Sequence, residues 1–431
     1  MKRALGLFLA GTLLSGLLIG CGQPAENTGN EATGNTEAGD TVQNSTEENK
    51  NEVKDTVVIT AWHDNDEAMM NALADVVNKA LADENIVLQF EKKSDVTGQI
   101  KLYGTDAENG PDMYLFAHDS LGSFAEMGIL EPVANLISAD KEADLLPMTI
   151  EAATYKDVQY LMPVYYETLL FMYNKDLWEG EVPSTTEDLY AYMLAHTDAA
   201  TGTYAMVNQH SGAYNVAPFI NGFGGYIIDE NANPGLDLQE TKDAVAYNQK
   251  FAALQADGDY NTVTTLFNEG KAAAIWGGPW LISGIKEAGI NLGIKSLADF
   301  ALPNGNALKP FSGVQCLGVL KTAVADKKDA ITRVLEVLAQ PEVGITLAGE
   351  FNCAPANMKA YEDAAVAENE MILAMKKTAE EAQPMPNIPQ MGVMWGPTES
   401  LLAAVNKSGE DVDTAAEKYQ AEALSAIADM Q

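Results

Sequence analysis

A chain of 431 residues carrying 62 acidic side chains against 26 basic ones, for a formal net charge of −36, excludes a nucleic-acid partner, because phosphate affinity needs clustered Lys and Arg. It also disfavours direct contact with anionic lipid, and its ordinary Gly, Pro and hydrophobic content excludes a fibrous or wholly disordered class. Only Arg3 and Arg333 are arginines, so bidentate clamping of a carboxylate or phosphate is nearly absent and a ligand without strong negative charge is indicated.

Lys2 and Arg3 precede an uncharged, mostly apolar run from Ala4 to Ile19, which ends in Leu18-Ile19-Gly20-Cys21. A charged start, an apolar middle and a small residue before the cut mark residues 1–20 as a signal peptide. Cys21 placed directly after Leu-Ile-Gly predicts a lipidated cysteine, the new first residue of an exported protein. The alternative, a retained membrane anchor, needs about 20 apolar residues. Processing would leave 24 basic residues against 62 acidic ones and Arg333 as the remaining arginine. From Gly22 to Asp55 the chain is Gly, Asn, Thr, Glu, Ser and Ala with almost nothing to bury. Residues 21–53 are therefore expected to be the lipidated cysteine and a disordered spacer.

The folded body begins near Lys54 and is long enough for two lobes. Thr56 to Trp62 is a β-branched run and predicts a strand. Between Asp66 and Ala82, Met69, Met70, Leu73, Val76, Val77, Ala80 and Leu81 fall at helical spacing. Ile86 to Phe90 predicts a second strand and Met113 to Phe116 a third, followed by a helix from about Ser120 with Asp119 as its N-cap. Strands alternating with helices indicate βαβ units and a mostly parallel sheet. Trp62, His63, Asp64, Asp66, Phe116 and Asp119 lie at strand carboxyl ends, where open α/β sheets bind ligands. Gly224 to Asp237 looks like a hairpin around an Asn/Pro/Gly turn; its spaced Asp and Asn residues lack the distal glutamate of a calcium loop. Phe311 to Leu320 returns to strand character. Cys316 lies in that apolar run, and with Cys353 it is either a free core thiol or half of a bridge.

The four histidines lack metal-ligand spacing, and the sequence has no nucleophile elbow, phosphate-binding loop or dinucleotide fingerprint. Paired carboxylates could cleave glycosides, but among 62 acidic residues pairs arise by number alone. Nothing in the sequence demands an enzyme, a metal or a cofactor.

Five segments carry a family likeness. They are Gly110 to Leu130, Pro163 to Leu177, Phe267 to Trp280, Lys309 to Phe311 with its following strand, and Met385 to Met391 leading to Trp395. In order and spacing they resemble the maltose/maltodextrin-binding proteins, extracellular solute receptors that feed ABC importers. Asn174-Lys-Asp-Leu177 and Gly278-Pro-Trp280 are similar to many sugar receptors, whereas Met385-Pro-Asn-Ile-Pro-Gln-Met391 is narrower. The resemblance implies an α/β, two-lobed periplasmic-binding-protein-like fold with a hinge, a permease partner, a monomeric receptor, and oligosaccharide held between the lobes. One lobe would take residues 54–164 plus 313–363, the other 165–312 plus 364–431.

On matching positions, Trp280 and Trp395 would stack on sugar rings, with Tyr214 a third ring and Phe116 standing where the family often has Trp. Asp119, Glu167, Asp66 and Glu67 would accept hydroxyl hydrogen bonds. A pyranose offers an apolar C–H face and an equator of hydroxyls, which aromatic rings and carboxylates complement. Competing readings make Trp280 and Trp395 core aromatics and Asp119 a helix cap, while Trp62, His63 and Trp178 are expected to be structural. The chain also departs from the family pattern: Ser120 and Glu399 replace arginines, Gly396 replaces Tyr, and Gly212 or Ser211 replaces a carboxylate. The alternatives to import are a surface glycoside hydrolase and an adhesive lectin acting on α-glucans.

Overall fold

The computed structural model describes residues 56–255 and 258–430; the expected signal peptide, Cys21 and the spacer lie outside the described residues. None of the described helices is long and apolar enough to cross a membrane.

The strands are β1 (Val57–His63), β2 (Ile86–Lys92), β3 (Met113–Ala117), β4 (Leu130–Glu131), β5 (Thr154–Tyr155), β6 (Val158–Gln159), β7 (Leu161–Thr168), β8 (Leu170–Asn174), β9 (Ala274–Gly277), β10 (Leu292–Ser296), β11 (Phe311–Leu320), β12 (Ala354–Pro355) and β13 (Gln383–Pro384). A large sheet runs β12-β7-β11-β3-β1-β2, with β13 and β4 also pairing with β11, and a second sheet runs β10-β8-β9. Only β5 and β6 stand apart, as a two-stranded ribbon.

The βαβ reading holds for the first third of the chain. β1 pairs in parallel with both β2 and β3, and the intervening helices Glu67–Ala80 and Val96–Tyr103 supply the crossovers that parallel pairing requires. The apolar stripe inferred from spacing is the buried face of the first of these helices: Met69, Met70, Leu73 and Val77 are enclosed. Beyond this region the expectation of a mostly parallel sheet fails. β11 lies antiparallel to β3 and β7, and both pairings in the second sheet are antiparallel. The reason is topological: β11 re-enters the large sheet from the far end after the chain has built the second one.

Two further local readings are corrected. Gly224 to Asp237 keeps only the tip of the expected hairpin, an antiparallel bridge between Ile228 and Pro234 flanked by Asp229 N→Asn233 O and Gly235 N→Ile227 O bonds, without extended strands on either side. Its turn is closed by Asp229, whose carboxylate accepts from Asn231 N, Asn233 N and Asn233 Nδ2, so a side chain reinforces the short backbone pairing. Asp119 caps no helix. It sits inside a 3-10 turn, His118–Ser120, that leads into the helix Leu121–Glu126 without a side-chain cap.

The cores follow the sheets. Ile59, Leu73, Leu88, Val319 and Leu335 enclose one face of the large sheet, while Phe171, Phe219, Phe251, Trp276 and Phe300 fill the body around the second. A third cluster, including Tyr114, Phe124, Tyr166, Met172, Ile275 and Val314, joins residues of both sheets. Cys316 and Cys353 are both buried and free, and burial pushes both thiols up, which makes them inert.

The passage between the sheets is short. β7 ends at Thr168 and β8 starts at Leu170, β11 returns at Phe311, and Gln383–Met385 runs beside it through Gln383 N→Pro310 O and Met385 N→Ser312 O bonds. His118 ties these passages together. Its Nδ1 accepts from Val314 N at 3.0 Å and its Nε2 donates to Met385 O at 2.8 Å. Burial lowers its pKa to about 4, so the ring is the neutral Nε2–H tautomer.

Candidate functional site

The carboxyl ends of β1 and β3 deliver the first part of the site. After His63 the chain runs through Asp64 and Asn65 to Asp66, which caps the helix Glu67–Ala80 by accepting from Met69 N at 2.9 Å. Glu67 is the exposed first residue of that helix. After Ala117 comes Asp119, buried, with Oδ2 accepting from Trp395 Nε1 at 3.2 Å. Its other oxygen is buried without a protein partner. Burial raises the Asp119 carboxyl to about 6, against the opposing pull of the Trp395 bond.

The second part comes from the paired strands β7 and β11. Glu167 faces Gly313 across the ladder, and its Oε1 accepts from Gln315 Nε2 at 2.8 Å. Gln315 Oε1 in turn accepts from Asn65 Nδ2 at 3.3 Å. Burial raises Glu167 to about 7, with the Gln315 bond pulling down and the Asp64 carboxylate pushing up. Asp64 pushes on Asp119 in the same sense, so these three acids share one electrostatic neighbourhood.

The aromatic part comes from three other elements. Trp280 follows β9 in a short 3-10 turn, Pro279–Leu281; Tyr214 lies at the start of the helix Ala213–Phe223; Trp395 lies in the first turns of the helix Met391–Ser408. Tyr214 and Trp280 meet at 6.2 Å between ring centroids, and Phe311 packs against Tyr214 at 6.4 Å and Trp395 at 6.2 Å. The Tyr214 hydroxyl is buried without a protein partner, and Glu167 and Asp119 both raise its pKa beyond the effect of burial. Trp280 and Trp395 are half-buried, each with its ring against a core cluster. The core tryptophan of this segment is Trp276, 2 % exposed.

The structure brings several of the eight expected residues into mutual contact. Asp119, Tyr214 and Trp395 are linked by direct contact or charge, Glu167 couples to the same group, Trp280 touches Tyr214, and Asp66 with Glu67 stands at the end of β1. Phe116 is half-buried in the third core cluster, on the last turn of strand before His118. Trp62 and Trp178 are buried as expected, Trp62 donating to Glu91 at 2.9 Å and Trp178 stacking on Tyr192.

Sequence reasoning missed Gln315, Asn65, Phe311 and Tyr260. Gln315 carried a readable signal, an amide in the middle of an apolar strand. Tyr260 is a large exposed ring directly after the N-cap Asp259; burial and the Asp66 carboxylate raise its pKa. Glu399, where the family carries Arg, accepts from Ala213 N and so supports the helix that presents Tyr214.

Two substitutions probe this geometry. Asp66→Ala is expected to cost about 1 kcal/mol of stability through the lost N-cap, read as a lower thermal midpoint; Asp66→Ser should keep the cap. A Cβ on Gly278 would lie 2.3 Å from the Trp280 ring, and an indole cannot yield like a flexible chain. Gly278→Ala is therefore expected to displace the Trp280 plane and weaken ligand binding at least tenfold, by calorimetry, without touching ligand itself.

The arrangement can grip a neutral, hydroxyl-rich molecule: buried carboxylates as acceptors, half-buried rings as platforms, and no partnered nucleophile. Among the described residues no cluster of His, Cys, Asp or Glu could hold a metal.

Comparison with known proteins gives a consistent result. The sequence profile of the family described as Bacterial extracellular solute-binding protein matches residues 73–374. A maltotriose-binding protein of Pyrococcus abyssi is 30% identical over 377 residues, covering 85% of this chain and 82% of that protein. A galactooligosaccharide-binding protein of Bacillus subtilis is 29% identical, covering 78% and 85%. A maltooligosaccharide ABC transporter solute-binding lipoprotein of Streptococcus pneumoniae is 29% identical, covering 85% and 87%. The chain belongs to the bacterial extracellular solute-binding protein family, an α/β architecture of two lobes joined by a hinge.

Proposed function

We propose that this protein is the receptor of an ABC importer that captures malto-oligosaccharides between its lobes and delivers them to a permease. The observation that carries the reading is that two buried polar atoms without a protein partner, Asp119 Oδ1 and Tyr214 Oη, belong to residues in contact with the half-buried Trp395 and Trp280 respectively. Leaving such atoms unpaired costs about 1–3 kcal/mol each, and a sugar hydroxyl relieves it. In this reading Trp280, Trp395, Tyr214 and Phe116 cover pyranose faces, while Asp66, Glu67, Asp119 and Glu167 accept hydroxyls at the rim. One lobe takes residues 54–164 and 313–363, and the other takes 165–312 and 364–431. Asp66 and Asp119 then sit on one lobe and Trp280, Tyr214 and Trp395 on the other. Sugar touching both shifts the hinge equilibrium toward closure.

Three substitutions at family contact positions set the ligand's size. Ser120 and Glu399 stand for arginines and Gly396 for Tyr, and a Cβ at Gly396 would meet nothing within 4 Å. A cleft trimmed there accepts a longer or branched α-glucan more readily than maltose. Cys21, lipidated on its thiol before residues 1–20 are removed, would tether a monomeric receptor to the outer face of the membrane with residues 22–53 as spacer. The reading includes no enzymatic step and no cofactor.

Calorimetry against maltose, maltotriose, longer and branched α-glucans, and galacto-oligosaccharides tests the ligand class. Micromolar binding, about −8 kcal/mol, is expected for the α-glucans of three or more units. A preference for galacto-oligosaccharides would overturn the α-glucan assignment, and sustained release of reducing ends would overturn the receptor reading. Cys21→Ser is expected to move the protein from the membrane fraction into the medium.

A further inference from the structure

We infer a second small-molecule site, behind the hinge strands, for a neutral hydroxyl-rich ligand. The pleat of β11 separates it from the first site. Along that strand Gly313 pairs with Glu167 and Gln315 with Tyr165, while Ser312 pairs with Thr168 and Val314 with Tyr166. Successive side chains point to opposite faces, so Gln315, which bonds Glu167, faces the carboxylate site and Ser312 and Val314 face away. Ser312 and Val314 line a cavity of about 950 Å³, within the range of small-molecule pockets. Phe311 lines it as well and packs on Tyr214 and Trp395, so one ring separates the two sites.

The cavity carries its own unmet polar demand. Asn221 and Ser312 both line it, are 8 % and 5 % exposed, and have Oδ1 and Oγ buried without a protein partner. Asn221 is fixed in place because its Nδ2 donates to Lys309 O at 3.0 Å. Lys309 also lines the cavity, and among the described residues no acid pairs with it. Across from these stand Met148 and Glu151, with Ile228 and Met385 adding apolar surface.

The chemistry selects the ligand. Asn221 Oδ1 calls for a donor, the Lys309 ammonium for an acceptor, and Ser312 takes either; a hydroxyl answers all three. Glu151, Asp229 and Glu230 outnumber Lys309 in the lining, which disfavours an anion, and Lys309 itself disfavours a cation beside Asn221. Apolar patches suit the C–H face of a polyol or sugar ring. The assignment stands on Asn221, Ser312 and Lys309 and does not depend on what the carboxylate site binds.

The test uses protein whose first site is disabled by Trp280→Ala with Asp119→Asn, titrated with glucose, maltose and sorbitol by calorimetry. Saturable binding of at least one probe at a single site, roughly millimolar, is expected. Met148→Trp, at an exposed lining position (37 % exposed), should weaken it by crowding the cavity, and Asn221→Leu should weaken it about tenfold. The rear lining contains no tryptophan, so rear binding gives heat without the tryptophan fluorescence change that ligand at Trp280 and Trp395 produces in the unmodified protein. Failure of all three probes to saturate the disabled protein overturns the proposal, as does binding that both rear substitutions leave unchanged. A missing fluorescence response in the unmodified protein would instead count against the first site alone.

Discussion

Trp280→Ala is expected to weaken malto-oligosaccharide binding by about 100-fold while the protein stays folded. A sugar face stacked on an indole removes apolar area from water on both partners, and truncation of a central aromatic in an interface costs about 2–3 kcal/mol. The comparison that makes this informative lies four residues upstream. Trp276 sits in β9, 2 % exposed, against Phe219 at 5.2 Å, and its truncation should cost about 3–5 kcal/mol of stability through the cavity it leaves. Trp280 is half-buried and outside the strand, so its loss should fall mainly on affinity. Calorimetry with maltotriose and denaturant unfolding, run on both variants, separate the two roles. Undiminished affinity in Trp280→Ala, or a stability loss matching that of Trp276→Ala, would make Trp280 a core residue and remove it from the site. Trp280→Phe should recover part of the affinity, because a smaller plane still covers part of a pyranose face.

The two tryptophans also show how far the sequence could be read. Local patterns carried local structure: β-branched runs became β1, β2 and β11, and helical spacing after Asp66 became the helix Glu67–Ala80. The position of Asp119 at a strand end was legible, but its role was not. Asp next to a helix start reads as a cap by propensity, and only the Trp395 contact, 276 residues away, shows the carboxylate turned elsewhere. The same limit hid Gln315, whose partner Glu167 lies 148 residues distant; no periodicity reports a pairing set by register between two strands. The segment Gly224 to Asp237 pairs over a shorter stretch than its pattern suggested, for a different reason. Its turn residues were recognised, but how far a ladder runs beyond the bridge between Ile228 and Pro234 is decided by packing that composition does not encode. Parallel pairing was over-extended because the alternation of strand and helix says nothing about the end from which a returning strand enters a sheet.

Raising the pH from about 5 to about 8 is expected to lower the stability of the sugar-free protein and to strengthen sugar binding, two opposite trends from the same carboxyls. Glu167 rises from 4.5 to about 7 and Asp119 from 3.8 to about 6, each through burial first. Between the unfolded and folded values the native state holds protons that the unfolded chain has released, so unfolding becomes easier as pH climbs. The stability these groups contribute is fully present below about pH 4 and is lost as pH passes through 6 and 7, on the order of 2–3 kcal/mol per carboxyl at the upper limit. Sugar acts in the other direction. Hydroxyls donating to a carboxylate favour its charged form, so binding releases protons in this window and Kd should fall tenfold or more across it. Thermal melts along a pH series give the first trend. Calorimetry in buffers of differing ionisation enthalpy gives the second and counts the protons released. Glu167→Gln should remove the part of both trends that Glu167 contributes, leaving that of Asp119, since the amide keeps the shape and cannot titrate. An affinity that stays level or declines toward pH 8 would mean that Glu167 and Asp119 do not accept from the sugar as carboxylates, and the rim of the proposed site would have to be rebuilt around the neutral groups Gln315, Asn65 and Tyr214.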